Sequence, residues 1–289
     1  MLGILLIDKE PGMTSHDVVA KIRRKLNTKR VGHAGTLDPM ATGLLVIAVG
    51  PATRFLQYLP LEPKEYEFKV KFGQETNTQD AEGEVVATKD VPGNLQTLVD
   101  EFLPKLVGTI EQIPPMFSAV KKDGKPLYAL ARQGVEIERE PRQVTIFKLE
   151  VFGWEGEQAW FRCQCSGGTY VRTLAHDLGQ MVGCGAHVTE LNRVQVGRFQ
   201  LEDAVQLGDL IPEDLIPLES ALLPRPIVKL DARSAALAYN GQQVAVRPVP
   251  DADFVAIAEA SGRVFGMAKV TEHGFLQPEC VIPAEAVHG

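Results

Sequence analysis

The stretch Gly32-His33-Ala34-Gly35-Thr36-Leu37-Asp38-Pro39-Met40-Ala41-Thr42-Gly43 decides how the rest of the chain is read. It brings three glycines, a histidine and an aspartate into one loop-like segment, Val31 to Gly43, ahead of the apolar run Leu44 to Val49. The apolar run has the composition of a buried strand. A small-residue loop held by a rigid scaffold is a common way to present a reactive side chain. Pro39 restricts Asp38 to extended conformations. Read locally, Asp38 is either such a presented carboxylate or a turn residue that bonds nearby backbone N–H groups.

Upstream of the loop, Ile4-Leu5-Leu6-Ile7 reads as a central strand. Thr14-Ser15-His16-Asp17 reads as a capping box opening a helix. That helix collects Val18, Val19, Ile22 and Leu26 on one side and Lys21, Arg24 and Lys25 on another. The basic stripe is either a solvated face or a surface for phosphates. Downstream, Tyr66, Phe68, Val70 and Phe72 alternate with Glu65, Glu67, Lys69 and Lys71, the period of a half-buried strand with Tyr66 facing inward. Leu95 to Leu106 has helical spacing. Residues 114–142 start Pro114-Pro115, hold Lys121-Lys122-Asp123-Gly124-Lys125 and Tyr128, and read as an excursion with a basic tip. Val144–Trp154 and Trp160–Cys165 read as paired strands. A turn at Gly167-Gly168 follows, then a helix capped by Thr169 and running to about Val182, then a strand from about Val188 to Val196. Pro212, Pro217, Pro224 and Pro226 mark a linker. Beyond it, short strands near 254–258, 264–270 and 275–282 suggest a small β-rich domain. The expected division is a catalytic domain over 1–226 and a small domain over 227–289.

Composition narrows the classes. The 289 residues are 45% hydrophobic and 23% charged, which excludes wholesale disorder and collagen. No apolar run approaches the roughly 20 residues that span a bilayer, and the opening residues read as a strand rather than a signal peptide. Four cysteines in so long a chain suggest free thiols in a reducing cytoplasm. The net charge of -7 resides entirely in residues 200–289, with 6 basic and 13 acidic side chains; residues 1–199 carry 24 of each. Residues 1–30 hold seven basic and three acidic groups, so a local basic surface is compatible with an acidic protein. Cys163-x-Cys165 follows strand alternation, and with Cys184 and His187 lacks zinc-ligand spacing. Neither G-x-x-x-x-G-K-[ST] nor G-x-G-x-x-G occurs, so no nucleotide cofactor is expected.

The segment GHAGTLDPMATGLL resembles the catalytic motif of the pseudouridine synthases, and more narrowly of the bacterial tRNA pseudouridine(55) synthases. Five other segments resemble the same family in order: KEPGMTSHDVV, KEYEF, PPMFSAVKKDGKPLYALARQG, SGGTYVRTLAHDLG and AHVTELNRVQVGRF. Together they run from about Leu5 to Phe199. The resemblance implies an α+β fold: a mixed, largely antiparallel curved sheet with flanking helices and a β-rich PUA-like C-terminal domain. It implies a cofactor-free, metal-free isomerase acting on the T arm of tRNA, with residues 114–142 as the arm that grips RNA and no membrane partner. A monomer is the default expectation.

The resemblance also implies roles. Asp38 matches the catalytic aspartate, Tyr66 the tyrosine that packs on the target base, and Arg172 the arginine that pairs with the aspartate. His33 matches a residue that displaces the target nucleotide, and Tyr170 and Leu191 match pocket positions. Lys9 matches a lysine of structural or RNA-facing role, and Arg54 a phosphate contact. These residue types suit the reaction, which breaks an N–C glycosidic bond and rejoins the base through carbon without redox chemistry. A carboxylate, with a reference pKa near 3.9, is ionised at neutral pH and serves as nucleophile or as partner to a cationic sugar. Arg172 falls in the first turn of its expected helix, where the dipole disfavours a cation by about 0.3–1 kcal/mol, so a neighbouring carboxylate is expected. Stacking on an aromatic contributes about 1–3 kcal/mol per base, comparable to the few kcal/mol that extrusion costs. Two other readings stay open at this point: a tRNA-folding chaperone without catalysis, and the guide-RNA-dependent branch of the same superfamily.

Overall fold

The computed structural model describes residues 1–118, 121–122, 125–131, 133–135 and 137–288, with the side chains of 121, 122, 125, 126, 128, 129 and 288 set aside. Residues 123 and 124 of the basic tip expected in 114–142, and the side chains of Lys121, Lys122, Lys125 and Tyr128, therefore lie outside what is described.

In chain order the first elements are β1 (Gly3–Lys9), α1 (Ser15–Lys25), β2 (Val31–Ala34), β3 (Thr42–Val49), β4 (Lys64–Phe72), β5 (Gln74–Thr76), β6 (Val85–Thr88), α2 (Leu95–Phe102) and β7 (Gly108–Gln112). Then come β8 (Lys121–Lys122), β9 (Lys125–Pro126), α3 (Leu127–Ala131), β10 (Arg142–Glu155), β11 (Gln158–Cys165), α4 (Val171–Val182) and β12 (Ala186–Val196). The C-terminal part adds β13 (Phe199–Gln200), β14 (Val205–Gln206), α5 (Leu218–Ala221), β15 (Ile227–Lys229), α6 (Ala232–Tyr239), β16 (Val244–Ala245), β17 (Phe254–Ala258), β18 (Val264–Val270), β19 (Phe275–Val281) and α7 (Ala284–His288).

The chain forms two compact units: Met1–Pro39 with Gly43–Leu61 and Phe199–Gly289, and Met40–Thr42 with Glu62–Arg198. In the first, β1 lies between β3, antiparallel with Ile4 opposite Ala48, and β14, parallel with Ile7 opposite Val205. Ile4 to Ile7 and Leu44 to Val49 are buried, as continuous apolar strands with both faces covered must be. Val31–Ala34 is a strand rather than loop: Val31 and Ala34 are buried and pair with Val49 and Val46. Its glycine and histidine give it little intrinsic β tendency, and pairing with β3 supplies the rest. The same unit carries the antiparallel-rich sheet β15-β17-β18-β19-β16, in which β17, β18 and β19 fall where the short apolar runs of the sequence place them and β15 and β16 are additional.

In the second unit the strand order is β12-β4-β11-β10-β7, with antiparallel neighbours throughout. The even residues of β4 from Tyr66 to Phe72 are buried and the odd ones are not, the alternation of a sheet covered on one face. Phe68 stacks on Phe161 at 5.4 Å. The capping box of α1 forms in both directions: Thr14 Oγ1 accepts from Asp17 N at 3.1 Å, and Asp17 Oδ2 accepts from Thr14 N at 2.9 Å. By contrast α4 is not capped by Thr169, whose hydroxyl donates to Ser166 O at 2.9 Å. Tyr170 is the N-cap without a side-chain bond, and Gln112 on β7 satisfies its backbone from both sides, at 3.0 and 3.2 Å. Thr169 is held by the preceding turn, and a long-range amide does the capping work. Gly183, at φ +94°, ends α4 in the left-handed conformation that glycine adopts without strain.

Candidate active site

The loop carrying Asp38 belongs to the first unit and is pinned on both flanks of the aspartate. Leu37 N donates to Ser15 Oγ at 2.9 Å, and Ser15 Oγ donates to Leu37 O at 3.2 Å. Pro39 O accepts from Gly12 N at 2.9 Å and from Lys9 Nζ at 3.2 Å; Lys9 Nζ also donates to Glu10 O at 2.9 Å. Ser15 and Lys9 are each 1% exposed. The segment KEPGMTSHDVV therefore acts as the cradle of the aspartate loop, with Lys9 donating to the carbonyls of Glu10 and Pro39. Asp38 itself is half-buried, between residues that cannot shift without breaking buried hydrogen bonds. Removing the Ser15 hydroxyl strands the buried Leu37 N–H, which costs about 1–3 kcal/mol. Ser15→Ala is expected to lower the unfolding free energy by that amount in urea titrations and to slow turnover by loosening the Asp38 backbone.

His33 is half-buried on β2, and its ring meets His16 of α1 edge-on at 5.2 Å. His16 is exposed and was not singled out by sequence; its only signal was its place inside the capping box. Arg54 is exposed, and Nη1 donates to Val281 O at 2.5 Å. Lys21, Arg24 and Lys25 are all exposed on α1, with Lys25 Nζ donating to Leu207 O at 3.3 Å.

The second unit carries Tyr66, Tyr170, Arg172 and Leu191. Tyr66 is 7% exposed, and burial pushes its phenol above the usual range. Its Cα partners are Cys163 on β11 and Arg193 on β12. Leu191 is buried, and its carbonyl accepts from Thr42 Oγ1 at 3.4 Å, with Asn192 Oδ1 at 3.2 Å from the same hydroxyl. Tyr170 is half-buried at the start of α4.

The sequence reading pairs Arg172 with Asp38; the structure sets a second carboxylate beside it, one that the sequence did not point to. Arg172 Nη1 lies 3.1 Å from Asp80 Oδ2, with both side chains almost fully buried. Nη1 also donates to Thr78 O and Nη2 to Phe117 O, each at 2.8 Å. Asp80 is in turn held by Thr78 Oγ1 at 2.6 Å and Glu82 N at 3.1 Å. Gln79 adopts φ +64° within this turn, accepts from Thr173 Oγ1 at 3.0 Å and passes its carbonyl to Val188 N at 3.1 Å. Thr76-Asn77-Thr78-Gln79-Asp80 is thus a rigid turn that locks the guanidinium. In the sequence it is one acid among a polar run after β4, with nothing to separate it from its neighbours. No cluster of three or more His, Cys, Asp or Glu able to hold a metal occurs among the described residues.

A largely antiparallel sheet with flanking helices and a C-terminal β domain is the fold of the pseudouridine synthase class. Solved structures agree. The chain matches the structure titled a Cbf5-Nop10-Gar1 complex with a TM-score of 0.73 at 29% identity, covering 99% of this chain and 86% of that one. It matches an H/ACA ribonucleoprotein bound to a substrate RNA containing 2'-deoxyuridine with the same TM-score at 27% identity, covering 98% and 86%. Residues 23–171 match the family model described as TruB family pseudouridylate synthase, N-terminal domain; residues 172–224 and 226–282 match two C-terminal domain models of the same family. Curated relatives named tRNA pseudouridine synthase B are 42% identical in Pseudomonas fluorescens Pf-5, over 98% of this chain and 96% of the relative, and 43% identical in Pseudomonas aeruginosa UCBPP-PA14, over 97% and 95%. The chain belongs to the TruB family of pseudouridylate synthases.

Proposed function

We propose that this protein converts the T-loop uridine at position 55 of tRNA to pseudouridine, without cofactor or metal. The observation that carries the reading is the pinned Asp38 loop, inside near-full-length similarity to proteins named tRNA pseudouridine synthase B. Asp38 supplies the ionised carboxylate that attacks the flipped nucleotide or assists departure of its base. Two routes use it equally: attack at the sugar through an ester-like or glycal intermediate, and addition to C6 of uracil. Tyr66 lies beneath the extruded uracil and handles a proton. Arg172, oriented by Asp80, holds the catalytic carboxylate in its ionised form when RNA excludes water. His33 helps displace the nucleotide, and Tyr170 and Leu191 wall the pocket. Arg54 and the exposed cations of α1 contact phosphates, an interaction set by local field rather than net charge. The family relatives at 42–43% identity favour the stand-alone tRNA reaction over the guide-dependent one, to whose members identity falls to 27–29%. The protein acts as a monomer in the cytoplasm, a compartment that suits its four free cysteines.

The test is release of tritium from tRNA transcript labelled at C5 of uracil. Release is expected from wild-type transcript and absent when the T-loop uridine is replaced by cytidine. Release that persists after that replacement would place the reaction elsewhere.

A further inference from the structure

Ser15 and His16 are the first two residues of α1, and the side chain of each reaches outside the helix. Ser15 Oγ, buried, bonds both the N–H and the carbonyl of Leu37, which fixes the first turn of α1 against the Asp38 loop. His16 is exposed, and its ring meets the His33 ring at 5.2 Å with the planes 84° apart, edge to face. That separation lies within the roughly 4.5–7 Å at which ring pairs attract. Among the described residues the His16 side chain makes no hydrogen bond or ion pair. The helix itself does not call for an imidazole there: first turns favour acids, and histidine is a middling helix former. The residues around His33 on its own strand are small, Gly32 and Ala34 and then Gly35, and its cross-strand partner Ile47 is wholly buried. The ring that reaches His33 comes from α1 and not from its own strand.

We propose that His16 is the positioning residue for His33: its ring, carried on the pinned first turn of α1, backs the His33 ring and holds it at the orientation from which it displaces the T-loop nucleotide. The inference rests on the pseudouridine synthase reading and deepens it, naming the group that sets the displacing ring. A ring that takes the place of an extruded nucleotide must resist being pushed aside by the stacked bases. A half-buried histidine among glycines and alanine is free to swing about its side-chain torsions. A second ring against it removes part of that freedom before RNA arrives, so less is lost on binding. The first turn of α1 then orients two groups at once. Ser15 holds the backbone beside Asp38, and its neighbour His16 holds the residue that opens the stack.

The experiment compares His16→Ala, which removes the ring, His16→Gln, which keeps hydrogen-bonding capacity without a ring, and His16→Phe, which keeps a ring without nitrogens. Each is made alone and with His33→Ala. Extrusion is followed by stopped-flow fluorescence of 2-aminopurine placed beside the target uridine in a synthetic T-arm hairpin, and single-turnover rate and thermal midpoint are measured alongside. His16→Ala and His16→Gln are expected to slow extrusion about 3- to 10-fold, the scale of one aromatic pair, with the midpoint unchanged. His16→Phe stays within about twofold of wild type. With His33→Ala, where the displacing ring is gone, the added loss shrinks to about twofold or less. In the free protein the His33 ring signals of 1H–13C spectra, identified among the six histidines as those missing from His33→Ala, are expected to shift in His16→Ala. Equal losses in both backgrounds, His16→Phe as slow as His16→Ala, or His33 signals unmoved by His16→Ala overturn the proposal. A wild-type protein without uridine turnover would sink the parent reading instead, and the free-protein spectra would still report whether His16 sets His33.

Discussion

Asp38→Asn is expected to bind tRNA as tightly as wild type and to isomerise none of it, a loss of at least roughly 10³-fold in single-turnover rate. Asparagine has the same shape but neither the charge nor the nucleophilicity. The anchors on either side of the position, from Ser15 to Leu37 and from Lys9 and Gly12 to Pro39, use residues other than Asp38. The loop should therefore keep its course, and the effect should be chemical rather than structural. Filter binding and tritium release on the same preparation separate the two. Turnover above about 1% of wild type would remove Asp38 from the reaction.

The second large effect belongs to Asp80. Its carboxylate and the Arg172 guanidinium are 4% and 3% exposed. Removing one member of a buried ion pair leaves the other uncompensated, at about 3–5 kcal/mol. Asp80→Ala is expected to lower unfolding free energy in urea by that amount, tempered by the two carbonyls that Arg172 also engages. It should also cut turnover, since a guanidinium released from its turn no longer presents a defined face. Asp80→Asn keeps the acceptor for Thr78 and Glu82 and should cost less in stability than in rate. A turnover rate unchanged in both variants would show that the orientation of Arg172 does not matter to the reaction.

The two residues differ in how visible they were. Asp38 stands out in the sequence because a glycine-rich loop with a proline after the aspartate is locally unusual. Tyr66 stands out because a period-two pattern assigns it a face, and its 7% exposure agrees with that face. The capping box at Thr14 was legible for the same reason: all its partners lie within four residues. Thr169 misled because a hydroxyl before a helix has two local uses, a cap or a turn bond, and only the preceding chain path selects between them. The carbonyl that Lys9 holds at Pro39 came into view only when the fold placed the two side by side, thirty positions apart.

What the sequence by itself determined is therefore what short-range physics encodes: the longer strands β1, β3, β4, β10, β11, β12, β17, β18 and β19, the α1 cap, the exposed basic side of α1, and a reactive-type loop around Asp38. The motif order added the family. Tertiary structure alone decided which groups hold the functional side chains. Asp80 reaches Arg172 across 92 positions, Gln112 meets Tyr170 across 58, and the packing of α1 on β2, not local composition, sets His16 against His33. Such partners are chosen by how elements pack. A buried charge or backbone group must find whatever donor or acceptor the fold brings to it, and a linear pattern carries no record of that choice.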